Sequence, residues 1–288
     1  MTGNNSLICK TLIALILVIS STCIAQPYFD VANIQYIHSG EKKFSGPDNP
    51  SEIRYWNVQV GAPLKLQKDL LIFNPSLESY RFMLSPPLNS WITVYGVSLP
   101  ITFLKQWKNE KWKTAFVFIP RINSDFKNIN NNDYQFGGAV LAVYKKNENL
   151  RYKFGVYYNS EFFGTFILPL LGIEWNINER MNLFGVLPGN MTFEYKLCHS
   201  FYGGINFKSI TNSYRYNDSP YLKISDNYLK LFVDFYATKH LVLSLEAGHS
   251  ALRKYSIGSG DAKLVESYRD GTLFKVGLAY RIRLDEKK

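Results

Sequence analysis

Cysteine, histidine and long apolar stretches are all scarce in this chain of 288 residues, which has three cysteines and four histidines. Cys9 and Cys23 fall in an N-terminal leader. Cys198 would therefore stand alone after export, which excludes an internal disulfide and leaves packing or lipid to hold the fold. His38, His199, His240 and His249 show no spacing of the HExxH kind, so no metal site is expected. Beyond residue 25 no run approaches the ~18–20 apolar residues of a membrane helix, and helical periodicity is hard to find anywhere. Mean hydropathy of −0.14 excludes a bundle of membrane helices, and a hydrophobic content of 46% excludes disorder. Gly258-Ser259-Gly260 is followed by no Gly-Lys-Ser/Thr, which removes a phosphate-binding loop. What the chain has in excess is aromatic residues, 20 Tyr, 20 Phe and 5 Trp, together with a net charge of +10.

Residues 1–25 read as a secretory leader. Lys10 supplies the positive start, Thr11 to Ile19 (TLIALILVI) the short apolar stretch, and Cys23-Ile24-Ala25 a small-residue cut before Gln26. Acylation of Cys23 is the competing reading, against which Thr22 is a poor preceding residue. The mature part, 26–288, reads as one unit with no internal boundary, repeat or low-complexity tract.

Alternation runs through that part. Phe274, Val276, Leu278, Tyr280 and Ile282 alternate with Lys275, Gly277, Ala279, Arg281 and Arg283. Leu229, Leu231, Val233 and Phe235 alternate with Lys230 and Asp234, and Leu241, Leu243 and Leu245 with Ser244 and Glu246. A period of two is the strand signature. Several runs are long enough for the ~9–11 residues that cross a bilayer at a tilt, which favours a membrane barrel over a soluble sandwich or lipocalin-like fold. Tight connections at 145–150, 176–180, 198–200 and 237–240 alternate with longer polar ones at 39–51, 81–89, 122–133, 211–221 and 250–270, the habit of outer-membrane barrels. Aromatics such as Tyr144, Tyr158, Trp175, Phe184, Tyr202 and Tyr280 recur near strand ends, where interfacial girdles belong.

The fold class expected is all-β: a single transmembrane antiparallel β-barrel of about 14 strands, or 12 if the weakest pair is dropped. Strands are placed near 29–37, 52–62, 69–80, 91–103, 112–121, 134–144, 151–160, 166–176, 181–187, 191–197, 201–210, 222–236, 240–249 and 271–283. An even count puts both termini on the periplasmic side.

The stretch Pro169 to Leu197 (PLLGIEWNINERMNLFGVLPGNMTFEYKL) resembles the best-kept segment of a Bacteroidetes-type family of outer-membrane β-barrels of unknown function. The likeness rests on its Gly-Ile-x-Trp, the turn ending at Arg180, the Leu187-Pro188 hairpin and the Phe-Glu-Tyr return. Ala62-Pro63-Leu64-Lys65-Leu66 resembles that family's first periplasmic turn, and the likeness extends from about residue 29 to 283. It implies a barrel in the outer membrane of a Gram-negative bacterium and no assigned activity. The chain departs from the usual barrel ending: it closes on Leu284-Asp285-Glu286-Lys287-Lys288 rather than on an aromatic residue.

The chemistry-bearing face is the polar one. Lys153, Glu174, Glu194, Lys196, Lys208, Lys230, Asp234, Glu246, Lys275, Arg281 and Arg283 all alternate with apolar residues, which marks them as lumen-facing candidates. A charge facing lipid at mid-bilayer costs ~2–4 kcal/mol, so the opposite parity is excluded on energy. His38-Ser39 and His249-Ser250 lie near strand ends, but adjacent strand residues point to opposite faces, so neither dipeptide makes a Ser–His pair. No catalytic residue and no cofactor are expected. The leading expectation is a non-enzymatic barrel that passes or binds a small solute through a polar, charged lumen. The alternatives are a lipid-modifying enzyme and a plugged structural or surface-interaction barrel. Expected partners are outer-membrane lipid, the barrel-assembly machinery and a small solute. The dispersed basic residues, with no clustered patch, exclude nucleic acid.

Overall fold

Alternation becomes eighteen strand segments in a computed structural model of the chain, which describes residues 27–40, 52–83, 91–216, 219–259, 262–267 and 270–285. The expected leader and most of the loops at 39–51 and 81–89 lie outside the described residues. In chain order the segments are β1 Tyr28–Ser39, β2 Ile53–Val60, β3 Ala62–Leu66, β4 Asp69–Phe73, β5 Ser76–Met83, β6 Trp91–Ser98, β7 Ile101–Gln106, β8 Trp112–Ser124 and β9 Tyr134–Lys145. They continue with β10 Leu150–Glu161, β11 Gly164–Asn176, β12 Met181–Leu187, β13 Asn190–Lys196, β14 Phe201–Tyr216, β15 Ser219–Tyr236, β16 Leu241–Ser259, β17 Ala262–Ser267 and β18 Thr272–Arg283.

Three staves of the wall are each split in two. Gly61 separates β2 from β3, Asn74-Pro75 separates β4 from β5, and Leu99-Pro100 separates β6 from β7. These breaks, with Pro120 inside β8, lie side by side. Val60 N–H donates to Pro75 O (3.0 Å), Asn74 N–H to Pro100 O (2.9 Å) and Leu99 N–H to Pro120 O (3.0 Å). Proline supplies no ladder donor, and a Cβ on Gly61 would meet the Asp30 carbonyl oxygen at 2.8 Å. The line is therefore a crease across four adjacent staves. With the three split staves rejoined, and with β17 pairing only to the end of β16, the wall has fourteen staves. β1 pairs antiparallel with both β18 and β2, so the sheet closes on itself. Both ends of the described barrel lie together at the rim with tight turns, where Leu284 N–H donates to Pro27 O at 2.8 Å.

Two of the expected long loops are strand instead. Over 211–221, β14 runs on to Tyr216 and β15 restarts at Ser219; over 250–270, β16 continues to Ser259 and β17 folds back on it. Their polar residues reflect which surface they meet, not a lack of structure. The extended β14–β15 hairpin leaves the wall and crosses the barrel. Arg215 pairs in parallel with Ser124 of β8, and Asp125 N–H donates to Arg215 O at 3.0 Å. The loop-end half is thus divided by a shared wall.

On one side of that wall β1, β2, β5, β6, β14, β15, β16 and β18 enclose an apolar core of Ile37, Ile53, Tyr55, Tyr80, Phe82, Ile92, Val94, Tyr214, Leu222, Ile224, Tyr228, Tyr255 and Leu273. Tyr55 and Tyr80 lie 4.3 Å apart with their planes tilted by 38°, and Phe82 stacks on Tyr255 at 5.0 Å. Tyr55 and Tyr214 donate their hydroxyls to Glu78 at 3.1 and 2.7 Å, which satisfies the polar end of each ring. On the outside an apolar belt remains exposed, including Leu229, Leu231, Leu245, Phe274 and Val276.

Candidate functional site

The polar residues of alternating strands converge in the interior as a ladder of ion pairs. Nearest the tight-turn rim, Arg283 meets Glu194 at 2.7 Å and Asp285 at 2.6 Å and lies over the Tyr202 ring at 3.9 Å. Lys196 sits over the same ring at 5.5 Å. One step further in, Arg281 bridges Asp30 (2.5 Å) and Asp234 (2.6 Å) and lies over Tyr28 at 3.6 Å. Lys230 and Lys275 then share one carboxylate, Glu246, at 2.6 and 2.7 Å. Across the barrel Lys153 and Arg151 both approach Glu174, the latter at 3.7 Å. Burying a charge costs several kcal/mol unless it is paired; Lys230, Lys275, Lys153 and Arg151 find their carboxylates on neighbouring staves, whereas Arg281 and Arg283 also reach Asp234 and Glu194 across the interior.

Six of the eleven sequence candidates, Lys208, Lys230, Asp234, Glu246, Lys275 and Arg281, line one cavity of about 350 Å³. Asn33, Gln35, Gln59, Asn190, Thr192 and Asn206 supply amides and a hydroxyl around it. Glu194, Lys196 and Arg283 lie between this cavity and the tight-turn rim, and Lys153 and Glu174 sit on the far wall. The cavity is polarised. Its rim-side part sets Arg281 against Asp30 and Asp234, while its loop-side part sets Lys208, Lys230 and Lys275 against Glu246, with Glu78 also acting on Lys208. The apolar core caps the loop side.

Sequence reasoning missed two buried clusters at the loop end. Glu161 accepts from Arg121 (2.8 Å), from the Ser213 N–H (2.9 Å) and hydroxyl (2.5 Å), and from Gln135 (3.3 Å); Asn159 adds a further contact. This carboxylate fastens the crossing hairpin to β8, β9 and β10. In the second cluster Asp226 pairs with Arg253 at 2.8 Å and accepts from Ser250, while Arg253 donates to Ser39 at 2.7 Å. Continuing the alternation Lys230, Tyr228, Asp226, Ile224 inward would have placed Asp226. Continuing Lys153, Gly155, Tyr157, Asn159 along β10 likewise turns Glu161 inward; what the sequence does not show is its partners, which lie in strands far apart in sequence. Ser39 and Ser250 are buried while His38 and His249 turn outward, and among the described residues no histidine hydrogen-bonds to either serine. No group of three His, Cys, Asp or Glu that could hold a metal occurs among the described residues.

Residues 93–285 match the family described as a domain of unknown function, DUF6268. The chain belongs to that family. No curated protein matches the sequence. Among solved structures this DUF6268 barrel is similar to an outer-membrane channel from Pseudomonas putida F1, at 9% identity and a TM-score of 0.47 over 87% of this chain and 93% of that one. It is also similar to the toluene transporter TodX of P. putida, at 10% identity and a TM-score of 0.46 over 90% of both chains. A third likeness is to the NanC porin, at 12% identity and a TM-score of 0.40 over 86% of this chain and 98% of that one.

Proposed function

We propose that this DUF6268 protein is a non-enzymatic barrel of the outer membrane of a Gram-negative, Bacteroidetes-type cell, with both termini periplasmic. Its polar, charged lumen binds or passes a small anionic solute. The observation that carries the reading is a 350 Å³ cavity ringed by amides and lined by four cations, Lys208, Lys230, Lys275 and Arg281, against three carboxylates, Asp30, Asp234 and Glu246, with the lysines gathered at its loop side. A cavity with low-dielectric walls focuses such a field and raises the local anion concentration. The belt of outward Leu, Val and Phe supports a bilayer setting, since closed barrels keep every ladder bond internal in lipid.

Two measurements test this. Purified from detergent, the unboiled protein should migrate faster in SDS gels than the boiled one; identical mobility together with solubility without detergent would contradict the membrane reading. In planar bilayers under a salt gradient, the reversal potential should show a modest anion preference, and Lys208→Gln with Lys275→Gln should abolish it. Clear cation preference would overturn the assignment of the lysine face.

The core of Tyr55, Tyr80, Phe82 and Tyr255 favours a second reading, a plugged structural barrel. A complete absence of both conductance and anion binding by the purified protein would select it.

A further inference from the structure

The wall is open between β11 and β14. β12 pairs with β11 only from Leu171 to Asn176, and β13 pairs with β14 only up to Lys208. Beyond the short β12–β13 hairpin, among the described residues no ladder joins 164–170 of β11 to 209–214 of β14. Two staves stand between β11 and β14 at the base of this gap, which makes it roughly 14 Å wide there at ~4.8 Å per strand spacing. It closes at the loop end, where Phe162 N–H donates to Ser213 Oγ at 2.9 Å.

The exposed edge of β11 is consistent with a permanent opening. Asn176 N–H donates toward β10, to Asn149 O at 2.8 Å, so odd-numbered residues of β11 turn their backbone groups the other way. Residues 165, 167 and 169 therefore face the gap, and 169 is a proline, which has no donor to leave unpaired. That leaves the N–H groups of Thr165 and Ile167 on the gap side beyond the ladder to β12.

Behind the gap, the inner face of β8 to β11 differs from the rest of the interior. Arg121, Gln135, Glu161 and Glu174 fix which parity points inward. On that parity lie Val117, Ile119, Leu141, Phe166, Leu168 and Leu170, all apolar and all only partly buried. The apolar core beyond β14 is sealed, with Val94, Ile224 and Leu273 at 0% exposure. Inward apolar side chains that remain accessible line unfilled space. Outside the gap, Ile167 and Leu171 are 60% and 66% exposed and continue the apolar belt up to its edge.

We propose that this chamber receives a single apolar hydrocarbon chain that enters from the bilayer through the gap between β11 and β14. The belt brings hydrocarbon to the opening, the rim on the β11 side is apolar, and the lining lies between two charged clusters, Arg121–Glu161 at its loop end and Lys153–Glu174 at the other. This compartment is separate from the lysine cavity, and the inference rests on the reading that the staves span a membrane.

The test places a thiol-reactive fluorophore at Leu168→Cys in a Cys198→Ser background, with Leu229→Cys on the outer belt as the lipid-facing control. The protein is reconstituted in phosphatidylcholine vesicles with or without brominated acyl chains, and aqueous iodide is the opposing quencher. Brominated chains should quench the fluorophore at 168 as they do that at 229, because acyl chains reach both sites. Quenching at 168 by iodide alone, or by neither agent, would overturn the proposal. Absence of brominated-chain quenching at 229 would instead overturn the membrane reading on which it stands. Heat-modifiable migration checks that each variant folds, and Leu141→Cys on β9 replaces Leu168→Cys should that variant fail to fold.

Discussion

The two sides of the β14–β15 partition are built from the same kind of strand and behave differently. On the β15 side, inward positions carry Leu222, Ile224 and Tyr228, which meet Tyr55, Tyr80, Phe82 and Tyr255 and leave no accessible surface of consequence. On the β9 side, inward positions carry Leu141, Phe166, Leu168 and Leu170, which remain only partly buried, and the ladder itself is incomplete between β11 and β14. Alternation decides which residues face inward. Packing across the interior and ladder completeness decide whether the inside becomes a core or a chamber.

The largest expected effect breaks the partition itself. Glu161→Leu leaves the Arg121 guanidinium, 9% exposed, without its carboxylate, and removing one member of a buried pair costs ~3–5 kcal/mol. The temperature at which the fast-migrating folded band disappears should fall well below that of the parent. An unchanged transition would mean that the hairpin does not depend on Glu161. Next in size is a paired truncation across the partition. Phe82→Ala removes a ring that is 1% exposed and should cost ~3–5 kcal/mol, whereas Leu141→Ala in the chamber should fall below the ~2 kcal/mol floor of buried leucines. Equal losses by denaturant titration would contradict the contrast drawn between the two sides.

A smaller effect tests parity. Val276 is 50% exposed on the outer belt, so Val276→Arg should cost ~2–4 kcal/mol in a bilayer. Gly277 lines the cavity, and a Cβ there meets nothing closer than 3.6 Å, so Gly277→Arg should be tolerated better. Equal folding yields for the two variants would place the register off by one. The smallest effect is the reversal-potential shift, because the three lysines are partly offset by Glu246 and screened over ~8 Å at physiological salt; the shift should fade as salt rises.

The staves were legible in the sequence because each is a local pattern. Phe274 to Ile282 declares its two faces without reference to any other strand, and the same holds for Leu229 to Phe235. Ion-paired residues such as Lys230 and Glu246 were legible for the same reason, since a charge between apolar neighbours has one affordable direction. The partition was not legible. Tyr214 and Arg215 lie in a polar run that reads as a loop, and what makes it strand is a pairing with Ser124 some ninety positions away. The gap was hidden too: β12 and β13 look like ordinary short strands, and only their register against β11 and β14 shows how far the wall rises beside them.

The crossing hairpin also has a thermodynamic consequence. β14 and β15 stand between the apolar chamber and the packed core that caps the lysine cavity, so a displacement of the hairpin that enlarges the chamber presses on the cap of that cavity. Occupants of the two spaces then act as each other's effectors. Linkage requires the factor to be reciprocal: whatever an anion does to the affinity for a hydrocarbon chain, the chain does to the affinity for the anion. Titrating inorganic phosphate with and without a bound chain reads that factor, and a factor of one would describe a rigid wall.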